Sequence, residues 1–174
     1  GGGVYRVILA ATDGSGSGTH AMEMAADIAA KYGARLVLLS VVSHGPLPEE
    51  LTHYGRKDLS KSPHPLLAHV PSWFDDARDA VSREPGELHA LVEDLARVAL
   101  DHGAELARAA GVAQYETMIE HGVPSEKILA CAERENADLI VMGRRGLGSF
   151  SELFLGSTTY KVMQLTEKNC LTVR

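Results

Sequence analysis

The chain has 174 residues, 45% of them hydrophobic and 23% charged, with a formal net charge of −6. One domain of this length carries enough apolar content for a core, which excludes an intrinsically disordered chain. The acidic balance excludes a general nucleic-acid or anionic-membrane binder, since both depend on excess Lys and Arg, and no apolar run reaches the length that spans a bilayer.

Val4 to Ala11 is a short apolar run closed by the turn cluster Asp13-Gly14-Ser15-Gly16, and it predicts a buried strand. Thr19 to Tyr32 places Met22, Ala25, Ala26 and Ala29 at helical spacing, with Gly33 as the stop. Arg35 to Val42 (RLVLLSVV) predicts a second buried strand, so the opening strand–helix–strand with short connections implies a parallel, right-handed crossover. Residues 43–86 differ: they hold six of the seven prolines together with His44, His53, His64 and His69, and they are too long for an ordinary connection. This stretch reads as an insertion, with a short helix near Trp73 to Val81.

Glu87 to Ala110 predicts a long helix, with Leu88, Leu91, Val92, Leu95, Val98, Ala99 and Leu106 in register and Gly111 at its end. Gln114 to Glu120 predicts a third strand, less apolar than the others and so placed near an edge. Pro124 to Glu133 predicts a helix with proline in its first turn, where Ser125 and Glu126 read as helix-start residues. Asp138 to Met142 (DLIVM) predicts a fourth buried strand, Ser157 to Leu165 a last helix, and Cys170 to Val173 a last short strand. Strands alternating with helices give an α/β fold, a parallel sheet covered on both faces, in a single domain over 4–174.

Two stretches suit a ligand. In α/β sheets ligands bind beyond the carboxyl ends of strands where strand order reverses. Ala11-Thr12-Asp13-Gly14 follows the first strand, and GRRGLGSFSELFLGSTTYKV, from Gly143 to Val162, follows the fourth. Glycines permit close backbone approach to a phosphate, and a helix N-terminus supplies unpaired N–H groups and a favourable dipole. Gly156-Ser157-Thr158 stands at such a helix start, Arg144 and Arg145 bring positive charge, and Asp13 can accept from a ribose hydroxyl or a base amine. The glycines alone fit a tight turn as well as a phosphate cradle. The loop is not a Walker A sequence, because Gly156 is followed by Ser157 rather than Lys, and no G-x-G-x-x-G follows the first strand.

The residues resemble the universal stress protein family. Gly143-x2-Gly146-x9-Gly156-Ser157 resembles its ATP-binding signature; ILAATDGS at 8–15, HGVPSEKI at 121–128, ADLIVMGRRG at 137–146 and LGSTTYKV at 155–162 resemble its further blocks, leaving only 43–86 uncovered. The resemblance implies a five-stranded parallel sheet in the order 3-2-1-4-5. It implies a nucleotide site in which Ala11, Thr12, Asp13 and the backbone of Val41 hold the adenosine end. Met142 and Gly143 line the ribose side, and Arg145, Gly146, Gly156, Ser157 and Thr158 meet the phosphates. The ligand so implied is ATP, with AMP or a cyclic nucleotide equally compatible, and Mg²⁺ accompanies a triphosphate. It also implies a homodimer paired through the last strand, near Cys170–Val173. The chain departs from the family at Ala11 and at Asn169-Cys170, where relatives often carry proline.

The expected function is that of a cytoplasmic regulatory dimer with at most slow ATP hydrolysis. A nucleotide-free dimer acting through 43–86 is the alternative. An adenylyl-transferring ligase would carry SGG-x-D-S or H-x-G-H after the first strand, where this chain reads Thr12-Asp13-Gly14-Ser15-Gly16-Ser17. Cys131 and Cys170 lack disulfide-framework or metal spacing and read as reduced thiols. His89 and His102, thirteen apart, are poorly spaced for a metal, and His121 ends a strand on the carboxyl side, within reach of the crevice.

Overall fold

The computed structural model describes residues 3–14, 16–43, 85–144 and 156–174. The body of the insertion, 44–84, with the four histidines and the short helix expected near Trp73 to Val81, lies outside the described residues, as do Arg145 and Gly146. Nine elements follow in order among the described residues: β1 (Val7–Thr12), α1 (Gly16–Tyr32), β2 (Arg35–Val42), α2 (Pro85–Ala110), β3 (Tyr115–His121), α3 (Pro124–Arg134), β4 (Leu139–Gly143), α4 (Ser157–Leu165) and β5 (Asn169–Val173). The helix α2 begins at Pro85, just inside the stretch read as insertion.

All strand pairs are parallel, and the five strands take the order β3-β2-β1-β4-β5. The three central strands are apolar on both faces because both faces are covered. On one side α1 and α2 close over Ile8, Ala10, Leu36, Leu38 and Val141. On the other, α3 and α4 close over Leu9, Ala11, Val37, Leu39, Ile140 and Met142. Gly33 and Gly111 stop α1 and α2 at φ values of 65° and 81°, where a Cβ is disfavoured.

α2 is the long helix that its spacing predicts. Among its described residues Ala96, Leu100, Gly103 and Ala107 are deeply buried, and Leu95, Val98, Ala99 and Leu106 are half-buried beside them. Close approach is the reason: a Cβ at Gly103 would lie 2.6 Å from Sδ of Met22 on α1 and 3.1 Å from Cδ1 of Leu38 on β2. Small residues let the helix settle onto its neighbours, and larger ones fill the margins.

β3 is an edge, as its polarity predicts, and its acidic residues are paired. The Arg35 guanidinium contacts Glu116 on β3 and Glu135 at the end of α3, and Arg134 reaches Glu120 at 3.0 Å and Glu135 at 3.3 Å. The Arg35 hydrogen bond, above all, holds the Glu135 carboxyl below its usual range. At the entrance to the central strand, Oδ2 of Asp138 accepts from the backbone N–H groups of Arg6 (2.8 Å) and Val7 (3.0 Å).

Candidate functional site

β1 and β4 lie side by side with Ala11 opposite Met142, so the chain leaves these neighbours toward opposite edges of the sheet. That is the switch point at which a crevice opens beyond the strand ends. Thr12 ends β1 with its hydroxyl buried, and Oγ1 accepts from the N–H of Gly14 at 3.1 Å, which folds the turn and leaves Asp13 exposed at the mouth. Val41, half-buried, stands at the end of β2.

Across the mouth, the first turn of α4 is fastened to the end of β4. The N–H of Gly156 donates to the carbonyl of Arg144 at 2.9 Å, and Thr159 donates its hydroxyl to the carbonyl of Gly143 at 2.9 Å. The N–H of Arg144 in turn donates to Val173 of β5 at 2.6 Å. Gly156 is the N-cap, with φ −59° and ψ 146°, and it has no side chain to occupy the first-turn amides. Ser157 is exposed and Thr158 half-buried beside it. The arrangement can place helix-start amides and two hydroxyls on one side of a ligand and the Asp13 carboxylate on another.

The structure therefore brings Ala11, Thr12, Asp13, Met142, Gly143, Gly156, Ser157 and Thr158 to one end of the sheet, with Val41 one strand further along. Gly143 has a packing reason as well: a Cβ there would lie 2.5 Å from Oγ of Ser17, 2.8 Å from its carbonyl carbon and 2.9 Å from the Gly18 nitrogen. Bare backbone at the end of β4 is what lets the start of α1 approach.

Thr159 is a residue that sequence reasoning missed. It is the third helical residue after the cap, a position that turns back toward the strand, and three hydroxyls in a row were the available signal. His20 was also missed; its Nδ1 lies 2.8 Å from the carbonyl oxygen of Arg174 and so ties the first turn of α1 to the end of β5. His121 sits at the rim and pairs with Glu93 of α2, Nε2 to Oε2 at 3.5 Å. Arg97 first, then His121, hold the Glu93 carboxyl below its usual range. The Cys131 thiol is on the buried face of α3 and burial pushes its pKa up, which suits an inert core thiol rather than a nucleophile. Among the described residues no helix is long and apolar enough to cross a membrane.

Comparison with known proteins agrees with this geometry. The universal stress protein family matches residues 4–174. The chain is 30% identical over 173 residues to universal stress protein YxiE of Bacillus subtilis, covering 98% of this chain and all of that one. It is 32% identical over 171 residues to a universal stress protein of Thermus aquaticus, with 98% and 100% covered. Among solved structures, UspA of Lactobacillus plantarum shares the fold with a TM-score of 0.70 at 24% identity, over 98% of each chain. A universal stress protein in complex with cAMP shares it at 0.61 and 23% identity, over 98% of each chain. The Archaeoglobus fulgidus universal stress protein in complex with dAMP does so at 0.60 and 17%, over 98% and 99%. The chain belongs to the universal stress protein family.

Proposed function

We propose that this protein binds an adenine nucleotide, ATP foremost, at the β1–β4 mouth and acts as a cytoplasmic regulatory dimer. The observation that carries the reading is the first turn of α4: a glycine N-cap, an exposed serine and a half-buried threonine, fastened to the end of β4 opposite an exposed aspartate. Phosphate suits such a helix start, and a carboxylate suits ribose or base donors. The two relatives that carry cAMP and dAMP support the same ligand class.

In this reading Asp13 and the main chain of Ala11, Thr12 and Val41 hold the adenosine end. Met142 and Gly143 line the sugar, and Gly156, Ser157, Thr158, Arg145 and Gly146 receive the phosphates. A triphosphate would bring its own Mg²⁺, charge-compensating oxygens that the amides leave free. With Asp13 committed to the adenosine end, hydrolysis is at most slow, because phosphoryl transfer to water needs a positioned group for that water.

Thermal unfolding with and without ATP tests the reading. A ligand at a hundredfold its Kd stabilises by ~2.7 kcal/mol, a rise of several degrees for a chain of this length. Gly156→Val keeps a backbone conformation open to any residue but sets two methyls where the phosphate would approach, and its ATP-induced shift should vanish. Equal shifts in both proteins would remove the loop from the site. No shift in the wild type would favour a nucleotide-free dimer.

The dimer is argued from the sheet edges. Edge strands that stay unpaired are guarded by charge. β3 carries Glu116 and Glu120, whereas Cys170, Leu171, Thr172 and Val173 of β5 are uncharged and half-buried. The helix that leads into β5 leaves Tyr160, Met163 and Leu165 exposed. Pairing of β5 with its copy would cover this edge. Thr172→Lys should convert a dimer to a monomer in size exclusion with light scattering; a variant that elutes as wild type does would place the contact elsewhere.

A further inference from the structure

Four polar side chains are buried among the described residues: Thr12, Ser40, Ser125 and Thr159. Thr12 and Thr159 are hydrogen-bonded. Ser40 and Ser125, residues that are 3% and 6% exposed, have no hydrogen-bond partner among the described residues. A buried hydroxyl left unpaired is costly and calls for an explanation.

The two lie on opposite faces. Ser40 follows Leu36 and Leu38 at strand spacing, toward the α1–α2 layer. Ser125 belongs to the buried row of α3, with Ile128, Cys131 and Ala132, which packs with Ala11, Leu39, Met142 and half-buried Val41. A helix that returns between parallel strands runs against them, so the first turn of α3 stands at their carboxyl ends. Ser125 is therefore the member of its row nearest the carboxyl ends of the strands, the end at which the mouth opens. It caps nothing: the N-cap is Val123, no side chain caps the helix, and Pro124 intervenes. The role of helix-start residue explains its position but not its unpaired oxygen.

Resting on the nucleotide reading above, we propose that the Ser125 hydroxyl is a specificity-determining contact that hydrogen-bonds the ring edge of the bound adenine. Val41 and Ala11 are apolar on this face, which suits the flat of a heterocycle, while Asp13, Met142, Gly143 and α4 are left for the sugar and the phosphates. A hydroxyl both donates and accepts. It can donate to a ring nitrogen or accept from the exocyclic amine, and either bond supplies the partner that it lacks among the described residues.

The test is calorimetric titration of the full chain with AMP and with ATP, together with thermal unfolding of the unliganded proteins. Ser125→Ala should weaken both nucleotides about tenfold, the worth of one hydrogen bond at the upper end of the usual range, while the unliganded variant melts as high as wild type or higher. Ser40→Ala, the control, should leave both affinities unchanged. Unchanged affinity in Ser125→Ala overturns the assignment. So does a loss confined to ATP, which would be a phosphate effect, an equal loss in Ser40→Ala, or a lowered melting temperature of unliganded Ser125→Ala, which would reveal a structural partner. A wild-type protein that binds neither nucleotide overturns the nucleotide reading itself, and the assignment falls with it.

Discussion

Gly143→Ala lowers the thermal midpoint of the unliganded protein by several degrees. The new methyl has nowhere to go: it would meet Oγ of Ser17 at 2.5 Å, the Ser17 carbonyl carbon at 2.8 Å and the Gly18 nitrogen at 2.9 Å. Two of these are main-chain atoms, so no rotamer change relieves the contact, and the start of α1 has to move off β4. Overpacking of this kind costs ~1–3 kcal/mol, and each kcal/mol is worth ~2–4 °C at this chain length. The same shift disturbs the Gly143 carbonyl that Thr159 holds, so the mouth loosens along with the core. Gly16→Ala is the control, since a Cβ there meets nothing within 4 Å. Urea unfolding of the three proteins decides the matter. A wild-type midpoint for Gly143→Ala would mean that α1 does not sit against the end of β4.

Acid unfolding should depend on Asp138. Burial by itself would raise its carboxyl, but the N–H groups of Arg6 and Val7 and the charges of Arg6 and Lys168 outweigh burial and leave it below the usual value of 3.8. A group held lower in the folded state than in the unfolded one contributes stability that is complete above the unfolded value. That stability is lost as pH falls through the folded one. Glu135 and Glu93 shift in the same direction, so their contributions fade in the same acid window. Asp138→Ala removes the acceptor of two amides at the entrance to β1 and should cost about 1.5–3 kcal/mol at neutral pH, the scale of a hydrogen bond to a charged group. It should also flatten the decline of stability between neutral pH and pH 3, measured by urea midpoints at several pH values. A variant with the wild-type slope would show that Asp138 keeps no lowered pKa.

Much of this architecture was legible in the chain. RLVLLSVV and DLIVM mark central strands because a run apolar on both faces has to be covered on both. Ser157–Leu165 was bounded by its glycine cap and its periodicity. What escaped were features set by pairs distant in sequence. Asp138 meets Arg6 and Val7 across more than 130 residues, and nothing local announces that. β1 starts at Val7 rather than Val4, whose side chain is 75% exposed, because pairing with β2 begins at the Val7–Arg35 step. The periodicity of its larger apolar residues marked α2 as a helix, but a close approach such as that at Gly103 has no local signal. Of the mouth, Asp13 and the glycines were visible as composition. Thr159 and His20 were not, since a hydroxyl or imidazole acquires meaning only from the atom it faces.

The bond between Gly156 and Arg144 gives the molecule a kind of modularity. Arg144 and Gly156 are held together by the main chain itself, so the distance between these two positions is set whatever sequence joins them. For a connection whose ends are fixed in this way, doubling the length adds only ~0.6 kcal/mol of closure entropy. Residues inserted between the two positions should therefore cost the register of β4 and α4 little.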